Sequence, residues 1–277
     1  MNKIKKFLNF LFVEIKYWIS IQTEMKYKIW FFISILRKII IILFWKANYC
    51  YSYFPFKWDY IIKNNYGKFL INEPWDMSPI ISTYFEEDLV SEFINTDKWI
   101  FLDIWSNIWK YSVILWKEWF KCYSIEPNPN LHKFILKNIE LNSIQKEVNL
   151  IPFWIDFKED SLKLKIPGWD NYWSWSIVNN YIDYKEVNIN LITFSKLIQD
   201  YCININDIRL IKIDVEWYEK NVIDSMLNYL WKFNNLKIII EMFDEKWNVD
   251  YIKNTLINNN FILIEKLYWD NYIFYKN

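Results

Sequence analysis

Carboxylates in this chain sit where short apolar runs end, and that placement gives them chemistry. Asp103 falls near the end of the run 99–104, Glu126 closes 120–125, and Asp156 follows 148–155. Asp214 follows 210–213, and Glu241 stands in 237–242. A short apolar run suits a buried strand, and open α/β sheets bind ligands beyond the carboxyl ends of their strands. An acid there accepts hydrogen bonds from a ribose or takes up a proton. Asp214, Glu216 and Glu219 crowd one such end, with Lys212 just before them. Such a cluster binds a cation or substrate hydroxyls, or it opens a helix, whose N-terminus favours acids. Its place beside a strand end favours the functional reading. His132 is the only histidine, so a multi-histidine metal centre is excluded, and no metal is expected. Cys50, Cys122 and Cys202 are scattered, give no metal spacing and suit a reducing, cytoplasmic compartment.

The elements that must position these acids follow in order. Residues 99–104 predict a strand, 105–107 a turn, 109–117 a helix and 120–125 a second strand. The sequence PNPN precedes a helix over 131–141, with Asn130 as N-cap and His132 solvated in its first turn. A third strand covers 148–155. Residues 157–190 form an antiparallel excursion with short strands at 162–166, 177–181 and 187–191. A helix over 193–201 and strands at 210–213 and 237–242 come next. A helix over 249–259 and a hairpin of 261–266 with 272–275 close the chain. The sum is an α/β fold with about seven strands and a C-terminal antiparallel hairpin.

Upstream, residues 51–98 connect, with a turn at Tyr66-Gly67-Lys68 and a short helix over 88–94. Residues 1–50 form a helical extension with nine basic and two acidic side chains, leaving a balance of −7 for the rest of a neutral chain. An acidic main domain argues against nucleic acid as chief partner. The apolar run 29–45 approaches a bilayer span, but Arg37 and Lys38 interrupt its centre at about 3 kcal/mol each. The extension therefore lies on an anionic membrane surface or packs on the main domain, and both readings stand. No cleavable leader is expected, because the first apolar run lacks a small-residue cleavage site.

Glycine is nearly missing. The chain has 2 Gly and 18 Trp, where about 7% glycine would give roughly 19. Trp105, Trp119, Trp173, Trp175 and Trp269 fall in expected turns, which need small side chains or left-handed backbone. This pattern is what a gene reading UGA as glycine would give if UGA were translated as tryptophan.

With glycine in those places, FLDIWSNIWKYS becomes FLDIGSNIGKYS, IEPNP stands, and IKIDVEWYEKNVI becomes IKIDVEGYEKNVI. This combination resembles the FkbM-type methyltransferases over roughly residues 99–241. The resemblance implies a class I, Rossmann-like methyltransferase domain over 99–277 with S-adenosylmethionine as cofactor. It implies that Asp103, Trp105, Asn107 and Trp109 line the methionine end of the cofactor. Glu126 takes the ribose hydroxyls, Pro127 and Asn128 shape the wall beside it, and Asp156 contacts adenine. Asp214, Glu216 and Glu219 face methyl transfer, and the implied acceptor is a hydroxyl of a sugar, glycan or related small molecule. A hydroxyl is a weak nucleophile, so a general base helps. With His132 on a helix, Asp214 or Glu216 is the first choice, and Lys212 and Glu241 follow.

Two rivals remain on the sequence. One is a nicotinamide-dependent oxidoreductase, since an acid after the second strand serves either cofactor; EPNP, KIDVE and the closing hairpin count against it. The other is a non-catalytic, membrane-attached binding module, which requires the tryptophans to be genuine.

Overall fold

In a computed structural model, the described residues are 59–71, 87–97, 99–108, 110–167, 184–242, 246–267 and 270–277, with scattered helical positions between 15 and 36. Most of the expected extension over 1–50, Trp109, the strand expected at 177–181 and the tryptophans at 173, 175 and 269 lie outside them. Among the described residues no helix is long and apolar enough to cross a membrane.

The chain begins its described part with a hairpin, β1 (Tyr60–Lys63) and β2 (Lys68–Ile71), then α1 (Glu87–Ile94). Next come β3 (Ile100–Ile104), α2 (Lys110–Lys117), β4 (Lys121–Ile125), α3 (Pro129–Asn142) and β5 (Val148–Ile151). An excursion holds β6 (Trp154–Ile155), β7 (Ser161–Pro167) and β8 (Tyr184–Ile192). The chain returns through α4 (Phe194–Asp200), β9 (Ile208–Ile213), α5 (Glu219–Leu230), β10 (Leu236–Glu241), α6 (Lys246–Asn258), β11 (Ile262–Lys266) and β12 (Asn271–Lys276).

Seven strands form the main sheet in the order β11-β12-β10-β9-β3-β4-β5. β5, β4, β3, β9 and β10 run parallel, and β12 pairs antiparallel with both β10 and β11. The chain steps outward from β3 to β5 on one side and from β9 to β10 on the other. The reversal lies between β3 and β9, where such sheets open a crevice. β3 is buried along its whole length, as expected for a central parallel strand covered on both faces.

Three expectations need correction. The third strand breaks: Pro152 offers no N–H to a ladder, so β5 ends at Ile151 and Trp154–Ile155 pair with Leu191–Ile192 of β8 instead. The N-cap of α3 is Asn128, not Asn130, and its side chain accepts from Asn130 N at 2.9 Å. Pro129 therefore takes the first helical turn, where a missing N–H costs nothing. The excursion is antiparallel only between β7 and β8; β6 and β8 are parallel.

Candidate active site

β3 carries Asp103 to its carboxyl end, where its backbone pairs with Lys212 of β9 on one side and Ser124 of β4 on the other. The chain then turns over the end of β4, and Trp105 N and Ser106 N both donate to Ile125 O, at 2.9 and 3.1 Å. Trp105 and Asn107 hold left-handed backbone, φ 68 and 50, which strains any residue with a Cβ. The reward is that Asn107 N reaches Glu126 Oε2 at 2.8 Å while Asn128 N reaches Oε1 at 2.9 Å. One buried carboxylate thus ties together the loops after β3 and β4. Burial pushes Glu126 up to about 8 against the pull of those two amides.

Asp103 is also buried. Ser112 Oγ donates to its Oδ2 at 3.0 Å and sits 2.5 Å from Ser124 Oγ. Its Oδ1 is buried with no hydrogen-bond partner, and burial pushes the carboxyl up to about 6 despite nearby Lys212. Such an orphaned anionic oxygen is costly unless a ligand meets it. Asp156, after β6, is likewise buried; its Oδ1 accepts from Phe157 N at 2.7 Å and its Oδ2 from Tyr218 OH at 2.9 Å.

The other side of the crevice is built by β9 and β10. The Lys212 side chain is buried, and its Nζ donates to Asp214 Oδ2 at 2.8 Å. Asp214 also shares a hydrogen bond with Glu241. Burial raises Asp214, but Lys212 and these bonds outweigh it and hold the carboxyl below its usual range. Glu241 is pushed far up, first by burial and then by the charge of Asp214. Glu216 is pushed up to about 8 by burial and by its acidic neighbours Asp214 and Glu219. Glu219 rises to about 7, chiefly from burial, and its Oε1 accepts from Trp217 N at 3.1 Å. Glu216 and Trp217 are both left-handed, φ 48 and 79.

A family model of the methyltransferase FkbM domain matches residues 94–263, more than half of the chain. The chain belongs to the FkbM methyltransferase family. As an FkbM methyltransferase it uses S-adenosylmethionine. No curated protein matches it. Among solved structures it is similar to the precorrin-6y C5,15-methyltransferase of Geobacter metallireducens, at 11% identity and TM-score 0.42 over 71% of this chain and 89% of that one. M. jannaschii TYW2, solved in complex with AdoMet, gives 12% identity and TM-score 0.41 over 83% and 86%. A complex of aTrm5 with tRNALeu gives 14% and 0.43 over 79% of this chain and 53% of that one.

The donor set of this FkbM methyltransferase fits its cofactor in part. The cofactor's methionine end carries an ammonium, which the bare Oδ1 of Asp103 would meet, and Glu126 keeps lone pairs for ribose hydroxyls. Trp105 does not fit. Its indole is buried against Trp154, with ring centroids 4.7 Å apart, beyond the ends of the strands where the cofactor belongs. Trp154 Nε1 is itself buried without a partner.

The expected residues thus fall into two groups on either side of the β3–β9 reversal. Asp103, Trp105, Asn107, Glu126, Pro127, Asn128 and Asp156 line the first, and Lys212, Asp214, Glu216, Glu219 and Glu241 the second. His132 is not simply solvated: it is half-buried, and its Nε2 lies 2.7 Å from Glu126 O. Sequence reasoning missed Tyr218, Ser112 and Ser124. The available signal for Tyr218 was a phenol inside the acid-rich turn DVEWYE; the two serines had none beyond helix and strand placement. Among the described residues no group of three or more His, Cys, Asp and Glu is arranged to hold a metal.

Proposed function

We propose that the chain methylates a hydroxyl of a sugar, glycan or related small molecule. What supports this reading is Glu216, half-buried three residues beyond the carboxyl end of β9, where burial and the neighbouring Asp214 and Glu219 push its carboxyl up to about 8. A base of that strength is matched to drawing a proton from a hydroxyl near neutral pH. The bound cofactor supplies an electrophilic methyl group. With it in place, Glu216 would take the hydroxyl proton on a carboxylate oxygen as the acceptor oxygen is methylated. Asp214, held below its usual range by Lys212 and by its bond to Glu241, is the second candidate base. Asp103 and Asn107 hold the methionine end, Glu126 the ribose, Asp156 the adenine, and Pro127 and Asn128 the wall between them. The crowd of carboxyl groups disfavours a polyphosphate chain as acceptor.

The same reading takes Trp105, Trp109 and Trp217 as glycine in the living cell. Trp105, Trp119 and Trp217 all hold left-handed backbone, φ 68, 71 and 79, the conformation that glycine alone adopts freely. Gly67, by contrast, needs no positive φ. It is required for another reason: a Cβ there would lie 2.6 Å from Asn142 Oδ1. UGG codons at 105, 109 and 217 would end the recoding proposal. The apolar, basic residues 1–50 support peripheral contact with the inner face of an anionic membrane, testable by vesicle flotation of the full chain.

The test of function is transfer of labelled methyl from S-adenosylmethionine to a panel of neutral sugars, amino sugars, sugar phosphates and a tRNA transcript. Labelling of the sugars with none of the tRNA is expected. Labelling of tRNA alone would replace this acceptor class.

A further inference from the structure

Tyr218 belongs to neither group of acids, yet it is the side chain that joins them. It stands between Trp217 and Glu219 at the start of α5 and makes no side-chain capping bond there. Instead its hydroxyl reaches the residue after β6 and donates to Asp156 Oδ2 at 2.9 Å, over a separation of 62 residues. Its ring packs edge-on against Trp154, with centroids 5.3 Å apart. Asp156 is therefore fixed on one oxygen by its own loop, through Phe157 N, and on the other by the turn that carries Glu216 and Glu219. Burial and the Asp156 carboxylate both push the Tyr218 phenol up, so it remains a donor.

We propose that Tyr218 is a positioning residue that couples the adenine end of the crevice to the acceptor-side acids Glu216 and Glu219. The inference rests on the reading of the crevice given above. A purine amine donating to Asp156 draws on the carboxylate that already holds Tyr218. Tyr218 is bonded directly to Glu219, whose Oε1 caps Trp217 N, and the two residues before it hold left-handed backbone. A turn pinned in this way has little room to absorb a shift of Tyr218 without moving both glutamates. Cofactor binding thereby arranges the acids before the acceptor arrives.

Hydrogen–deuterium exchange tests this without knowing the acceptor. The full chain carrying Trp105→Gly, Trp109→Gly and Trp217→Gly is compared with and without S-adenosylmethionine, alone and with Tyr218→Phe or Asp156→Asn. Exchange over 214–222 is expected to slow when cofactor binds the parent chain. Tyr218→Phe keeps the ring packing and is expected to weaken cofactor binding by only about fivefold, one hydrogen bond's worth, while abolishing the slowing. Asp156→Asn, which weakens the same bond from its other end, is expected to abolish it too, so the test survives a Tyr218→Phe chain that fails to fold. Cofactor binding with no slowing in the parent, or equal slowing in both variants, overturns the coupling and leaves the cofactor site standing. No cofactor binding by the parent chain overturns both.

Discussion

The two sides of the crevice treat their carboxylates in opposite ways. On the side we assign to the cofactor, Asp103, Glu126 and Asp156 belong to separate turns and are each held by their own donors. Glu126 takes two backbone amides, Asp103 one serine, and Asp156 one amide and one phenol. On the acceptor side, Asp214, Glu216, Glu219 and Glu241 crowd round the ends of β9 and β10 with Lys212 as the cation bonded to Asp214. Separate, well-held acids bind: their oxygens are fixed before the ligand arrives, so little ordering cost remains. Crowded acids exchange protons: burial, and after it the repulsion among neighbouring carboxylates, raises their proton affinity. Under the proposed function, position in the fold sorts one residue type into two tasks.

The sharpest way to break this contrast is to remove one acid from each side. Glu216→Gln should lower the initial rate of methyl transfer by about 10²–10⁴-fold and leave cofactor affinity as it was. The parent rate should rise with pH through about 8, where Glu216 ionises. Glu126→Ala should do the reverse, weakening cofactor binding by calorimetry roughly ten- to hundred-fold, the worth of about two hydrogen bonds. If both variants lose affinity and rate alike, the division of labour is wrong.

The pH dependence of stability sharpens it further. Burial raises Asp103 to about 6, Glu219 to about 7 and Glu126 and Glu216 to about 8 in the cofactor-free protein. A carboxyl raised on folding contributes stability that is complete below its unfolded value and is lost as pH rises through its folded one. Thermal unfolding of the cofactor-free chain should therefore occur at a lower temperature at pH 9 than at pH 5. Asp214, held down by Lys212, acts in the opposite sense and loses its contribution in acid. Cofactor should bind more tightly as pH rises through about 6, because Asp103 must ionise to meet a cation.

The smallest expected effect isolates backbone strain. Trp119 joins α2 to β4 with φ 71 and is 83% exposed, so its ring packs little. Trp119→Gly should stabilise the chain by about 1 kcal/mol, the cost of left-handed backbone for a residue with a Cβ, seen as a raised unfolding midpoint.

Much of this was legible because acids close the apolar runs. Asp103, Glu126 and Asp214 marked the carboxyl ends of β3, β4 and β9, and the closing hairpin distinguished the sheet from a plain dinucleotide fold. The break at Pro152 was not legible, because an apolar run spans it and only the pairing with β8 reveals the change of sheet. Asn130 is a good capping residue by type, but Pro129 is already helical, which moves the cap back to Asn128. The bond from Tyr218 to Asp156 had no local signature at all, since it depends on how the excursion folds back over α5. The tryptophans at expected turns were visible in the sequence, and among the described residues positive φ separates Trp105, Trp119 and Trp217 from the other tryptophans.

Calorimetric titration of S-adenosylmethionine into two full-length chains tests the reading of the crevice most directly. One chain carries tryptophan throughout; the other carries Trp105→Gly, Trp109→Gly and Trp217→Gly. Saturable binding by the second chain alone, at one cofactor per chain and weakened by Glu126→Ala, is the predicted result. Equal binding by both chains, or none by the glycine-bearing one, would contradict it.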